Sequence, residues 1–171
     1  SRRQRQMCIR DSDNWYNEFI IDKGTDDGLA KNMNVMAGDG LVGRIVDANK
    51  SYSRVRSIVD DSSEVSGSFL KTSDKCIVSG NLSMMREGKI QISGLDRDAK
   101  VKDGYEVVTS QISSVYLPGI LIGYATSIKK DSTNITQSGY LVPAADFSSL
   151  DMVLVITKVK NSKDLEEILG K

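Results

Sequence analysis

The side chains that run most hydrolytic and metal chemistry are missing or poorly placed in this chain of 171 residues, which contains no histidine. That removes the commonest general base and the commonest zinc ligand together. A Ser-His-Asp site cannot be assembled, however many serines are present. A Ser-Lys pair stays formally open at Ser127 and Lys130, which flank a predicted hairpin end, and solvated turn residues are the simpler account. Gly38-Asp39-Gly40-Leu41-Val42-Gly43 fits the dinucleotide spacing G-x-G-x-x-G, whose chemistry needs a pyrophosphate at a helix N-terminus. Here the glycines run into Arg44-Ile45-Val46-Asp47, a β alternation without a helix dipole, so a hairpin is predicted instead. Asp22-Lys23-Gly24-Thr25-Asp26-Asp27-Gly28 has the outline of a calcium loop, but Gly24 holds the second ligand position and Met33 stands where the bidentate glutamate belongs. Asp60, Asp61 and Glu64 are close enough in sequence for a hard cation, yet capping of a short turn explains them with less. No catalytic residue, cofactor site or metal site is predicted.

The elements around these residues read as sheet. Val and Ile together number 30 against 19 for Leu and Ala, and branching at Cβ suits a pleated strand better than a helix. Strand-like runs recur with turn residues between them: Trp15–Asp22, Val35–Ala37, Leu41–Asp47, Ser53–Ile58, Ser66–Leu70, Lys75–Val78, Lys89–Ser93, Tyr105–Ser110, Ile120–Ile128, Tyr140–Val142 and Met152–Ile156. Many short strands at near-regular spacing predict barrels or sandwiches. Ser162–Leu169 alone reads as a helix, with Ser162 as N-cap and Leu165, Ile168 and Leu169 on one face.

The two halves also echo each other. Val35-Met36 precedes Gly40-Leu41-Val42-Gly43, and Val107-Val108 precedes Gly119-Ile120-Leu121-Ile122-Gly123. Asp61-Ser62-Ser63 likewise echoes Phe147-Ser148-Ser149. From Val to the second Gly the spacing is 8 residues in the first copy and 16 in the second, so the second hairpin carries an insertion. The predicted fold is all-β: two small barrels of about six strands side by side, with a short C-terminal helix or tail. The expected divisions are a leader at 1–12, one barrel at 13–72, the other at 73–157 and the tail at 158–171.

The leader holds Arg2, Arg3, Arg5 and Arg10 without apolar periodicity, and is expected to be non-native or disordered. With residues 1–12 set aside, 19 basic residues face 22 acidic ones, which disfavours a nucleic-acid partner. Cys8 and Cys76 are the only cysteines, too few for a disulfide framework. No stretch reaches the roughly 20 apolar residues that span a bilayer. The insertion Gln111–Gly119 is apolar for a turn. Its Ile112, Val115, Tyr116 and Leu117 are the candidate protein-binding patch. Folding back of Tyr116 and Leu117, to plug a barrel end or the seam between barrels, is the equal alternative.

Several blocks in order resemble the MreC family of rod-shape-determining proteins. They are Asn14-Trp15-Tyr16-Asn17-Glu18-Phe19-Ile20-Ile21-Asp22-Lys23-Gly24, Gly38 to Val46, Leu117-Pro118-Gly119-Ile120-Leu121-Ile122-Gly123, and Pro143 to Ile156. The resemblance covers roughly Asp13 to Val159. It implies two six-stranded barrels on the outer face of the cytoplasmic membrane, with no catalytic residues. In the family a membrane helix and a coiled coil precede them; neither is seen here, so membrane attachment is expected only through a missing N-terminal helix. It further implies self-assembly into dimers or larger forms, and a scaffold of the cell-wall elongation machinery that touches MreD and the elongation-specific penicillin-binding transpeptidase. The enzyme alternative is a degenerate protease-like two-barrel hydrolase.

Overall fold

The computed structural model describes the backbone of residues 4–8 and the whole of residues 17–160. The strands are β1 (Gln4–Cys8), β2 (Glu18–Ile21), β3 (Asn34–Ala37), β4 (Gly40–Ala48), β5 (Ser53–Ser57), β6 (Glu64–Phe69), β7 (Lys75–Ser79), β8 (Ile90–Asp96), β9 (Glu106–Thr109), β10 (Leu121–Lys130), β11 (Thr136–Pro143) and β12 (Met152–Ile156). Among the described residues one short α-helix, α1 (Leu82–Met85), lies between β7 and β8, with Asn81 Oδ1 accepting from the Met84 N–H at 3.0 Å. Among the described residues no helix is long and apolar enough to cross a membrane.

The fold is all-β, as the branched composition implies. Strands β6-β7-β8-β11-β10-β9 pair in a ring, and β9 returns to β6, so this six-stranded barrel closes. Its interior holds Val65, Phe69, Val78, Ile90, Ile92, Leu95, Val107, Ile122 and Leu141, none more than 1% exposed. Each such side chain contributes about 1.5–3 kcal/mol by leaving water. The other unit is a six-strand run, β2-β5-β4-β3-β12-β1, around Phe19, Ile21, Val35, Leu41, Ile45, Val55, Val153 and Val155. A parallel bridge from Gly40 to Leu121 joins the two units.

The internal echo holds register for register. In the first hairpin Val35 faces Gly43 and Met36 faces Leu41, so Val42 is bulged. In the second, Val107 faces Gly123 and Val108 faces Leu121, so Ile122 is bulged. Both bulged side chains are fully buried. The next strand follows suit: Gly43 pairs with Ser57, and Gly123 with Pro143. The serine echo is one turn used twice. The Ser62 N–H donates to Asp60 Oδ1 at 2.8 Å, and the Ser148 N–H donates to Asp146 Oδ1 at 3.0 Å. This is the Asx turn, in which a short acidic side chain stands in for a backbone carbonyl.

Three expectations need correction or restriction. The division near residues 72–73 fails because the chain crosses after each Asx turn: β6 leaves the first unit to pair with β9, and β12 leaves the second to pair with β3. The closed barrel is therefore the continuous segment 64–143, and the other unit is the discontinuous one, completed by β12 from beyond that barrel. The leader is not without structure, since β1 pairs antiparallel with β12 over five residues. An edge ladder needs only backbone donors and acceptors, which an arginine-rich run supplies without apolar periodicity. The helix expected at Ser162–Leu169 lies outside the described residues.

Candidate protein-binding surface

Between β9 and β10 the chain makes the expected insertion, and its own hydrogen bonds give it a fixed shape. Thr109 Oγ1 donates to the Leu117 carbonyl at 2.6 Å and accepts from the Ile120 N–H at 2.8 Å. Ser113 Oγ accepts from the Tyr116 N–H at 3.0 Å. The tip then reaches the first unit and meets Asn34 of β3, which is fully buried. Asn34 Oδ1 accepts from the Leu117 N–H at 2.8 Å, while its Nδ2 donates to the Val115 carbonyl and the Asn32 carbonyl, each at 3.1 Å. One amide side chain thus replaces a stretch of strand ladder, taking both a donor and an acceptor from the loop. The Lys160 ammonium donates to the Gln111 carbonyl and ties the loop's base as well.

The loop covers the outer wall of β3-β4-β5. Across that wall Asn34, Arg44, Arg56 and Glu18 form one transverse row, each facing the next in the ladder. Arg56 grips Glu18 through Nε at 3.0 Å and Nη2 at 2.9 Å, and Arg44 Nη1 donates to Asn32 Oδ1 at 2.9 Å. Burial pushes the Tyr116 phenol up to about 12, and the positive field of Arg44 and Arg56 pulls only partly the other way.

The four residues singled out in the sequence are thereby separated. Tyr116 and Leu117, each 4% exposed, lie buried against the chain's own seam. Val115 is half-buried, with its carbonyl held by Asn34. Ile112 stays exposed at 51%. The apolar character of this loop reflects a surface it finds within its own chain. Asn34 escaped notice in the sequence. Its only signal is an asparagine opening a strand, a residue depleted there unless its side chain replaces a backbone partner.

The residues considered for chemistry are occupied structurally. Gly38 to Gly43 make a tight turn, Gly38 with φ 56°, into β4, so no helix follows the glycines. A Cβ on Gly40 would overlap the backbone of Ala145, which is why a glycine stands at the bridge between units. Thr25–Asp27 form a 3₁₀ turn in which Asp27 Oδ2 accepts from the Gly24 N–H at 3.1 Å. Asp61 Oδ1 accepts from the Leu82 N–H at 2.8 Å. Ser127 is an exposed residue at φ 55° in the β10 bulge, with no hydrogen bond to Lys130. Cys76 is a buried thiol, raised to about 12 by burial against a weaker opposing pull from Lys75.

A closed six-stranded barrel tied to a second β unit by two chain crossings and a buried loop defines an all-β, two-unit class of protein. The match to known proteins agrees. The family model described as "Rod shape-determining protein MreC, barrel core" matches residues 8–157. The chain belongs to the MreC family. It is 29% identical over 169 residues to the cell shape-determining protein MreC of Geobacillus stearothermophilus, which covers 94% of this chain and 58% of that protein. The chain thus spans a little over half the length of that relative. A solved MreC from Listeria monocytogenes superposes with a TM-score of 0.84 at 25% identity, covering 95% of this chain and 80% of that one. The MreC chain from a Helicobacter pylori complex with penicillin-binding protein PBP2 superposes at 0.70 and 14% identity, covering 92% and 99%. At that identity the likeness is one of fold.

Proposed function

We propose that this chain is the extracytoplasmic, non-catalytic scaffold part of an MreC-type protein that maintains rod shape by organising peptidoglycan synthesis. The family match over residues 8–157 carries this reading. Its partners are then further copies of itself, the elongation-specific penicillin-binding transpeptidase and MreD. The Helicobacter pylori MreC in complex with PBP2 supports the transpeptidase partner by analogy of fold. In the full-length protein an N-terminal helix preceding this region holds it to the outer face of the cytoplasmic membrane. On the insertion, Ile112 with the open side of Val115 is the proposed contact point, and Tyr116 and Leu117 are its anchors.

Co-purification tests this directly. Full-length protein with an affinity tag, extracted from native membranes, should carry the transpeptidase and MreD with it. Their absence under mild detergent, with a known membrane complex recovered as control, would remove the scaffold reading. A fluorophosphonate probe should label no serine in the purified chain, and stoichiometric labelling of one serine would restore the hydrolase alternative.

A further inference from the structure

The register match between the two units exposes a difference in how their walls are covered. The row Asn34–Arg44–Arg56 of the first unit corresponds, position for position, to Glu106–Tyr124–Val142 of the second, which cross β9-β10-β11 in the same way. The first row lies under the inserted loop. The second lies open, with Tyr124 at 40% and Val142 at 42% exposure, and the exposed Leu70 donates its N–H to the Glu106 carbonyl beside them at 3.0 Å. The cause is the difference in hairpin length. The β3-β4 turn has only Gly38 and Asp39 between its strands and cannot reach over the second unit as the insertion reaches over the first. Within each copy the insertion is already committed to its own wall through Asn34.

We infer that the wall Glu106–Tyr124–Val142 is a docking surface for an extended apolar segment of a partner protein that places a basic side chain against Glu106. The geometry of the covered wall supplies the template: the backbone of a three-residue apolar stretch is read by the side chain at the β3 end of the row, and the central aromatic side chain lies near the next two residues of the row. At the corresponding place the exposed Glu106 makes no ion pair among the described residues and is an acceptor only. It therefore selects backbone N–H groups and cations, as a charged group at an interface sets partner choice. Tyr124 and Val142 supply the apolar centre, and a tyrosine is a favoured anchor because it buries a large face while its hydroxyl stays wet. Clustered exposed apolar groups on a soluble barrel wall mark contact sites more often than isolated ones do.

The surface draws its biological meaning from the scaffold reading, but its test is independent of it. Two fluorescein-labelled peptides, Gly-Arg-Val-Tyr-Leu-Pro-Gly and Gly-Glu-Val-Tyr-Leu-Pro-Gly, are titrated with the purified chain and followed by anisotropy. The arginine peptide should bind at least fivefold more tightly than the glutamate peptide. Glu106→Gln should erase that preference. Tyr124→Ser combined with Val142→Thr should weaken binding of the arginine peptide more than tenfold while leaving the melting temperature unchanged, because both side chains are surface groups. Equal affinity of the two peptides, no binding at millimolar concentration, or undiminished binding by the double variant overturns the inference. So does sedimentation velocity that shows self-association of the chain abolished by the double variant, since the occupant is then a second copy. Failed co-purification with intact peptide selectivity removes only the scaffold reading.

Discussion

Asn34→Ala removes the side chain that ties Val115 and Leu117 of the insertion to β3. Asn34 makes three hydrogen bonds, to the Leu117 N–H and to the Val115 and Asn32 carbonyls. A buried donor left without a partner costs about 1–3 kcal/mol, whereas a carbonyl keeps some of its capacity through water. The Leu117 N–H is the buried donor here, and the two carbonyls add about 0.5–1 kcal/mol each. The expected loss is about 3 kcal/mol, which for a domain near 150 residues lowers the melting temperature by about 6–12 °C. Urea unfolding measures the loss. Hydrogen exchange at the Leu117 amide separates a local release of the loop from a general weakening, since only the former strips protection there first. A loss below 0.5 kcal/mol with Leu117 still protected would refute the latch.

Other perturbations follow from the same seam and cores. Tyr116 is neutral with its folded pKa raised to about 12 from an ordinary 10.0, so its contribution is whole below pH 10 and lost as pH rises from 10 to 12. By linkage that is at most about 2.7 kcal/mol; absorbance at 295 nm should show one tyrosine titrating late, and normal titration of all six would contradict its burial. Gly40→Val forces a side chain into the Ala145 backbone and should cost about 1–3 kcal/mol, as overpacking does; an unchanged urea midpoint would show that the bridge between units yields freely. Cys76, buried and raised to about 12, should resist iodoacetamide at pH 8 in the native chain and react fully in urea. Prompt native alkylation would place it at the surface.

The strands, the hairpin at Gly38-Asp39 and the paired serine turns were legible because each has a local cause. Branched residues favour pleats, an Asp-Gly step closes a two-residue turn, and an Asp or Ser caps its own backbone. The insertion was legible too, by counting from Val107 to Gly123 against Val35 to Gly43. What covers the insertion was not. An apolar Val115-Tyr116-Leu117 has the same sequence signature whether it waits for a partner or lies in a seam, and the deciding residue, Asn34, is 81 positions away from Val115. The crossing of the chain between units was illegible for a related reason: β6 and β12 carry the pattern of a half-buried strand, and nothing in that pattern says which sheet receives it.

That crossing bears on how two register-matched β units come to present unlike faces. The chain leaves the first unit at the Asx turn of Asp60, builds the whole closed barrel from β6 to β11, and returns after the Asx turn of Asp146 to complete the first unit with β12. With two chain crossings, the bridge from Gly40 to Leu121 and the insertion held by Asn34, the pair is expected to hold a fixed relative orientation. Within that frame the two hairpins share a register but differ in length, and the difference bears on how their walls are covered. The long one spends its apolar tip on the row led by Asn34 and turns it inward. The short one leaves the row led by Glu106 facing out, with Tyr124 and Val142 uncovered. About eight additional residues in one of two register-matched hairpins thus cover one wall from within the chain, and leave the other as the surface on which a partner can be selected.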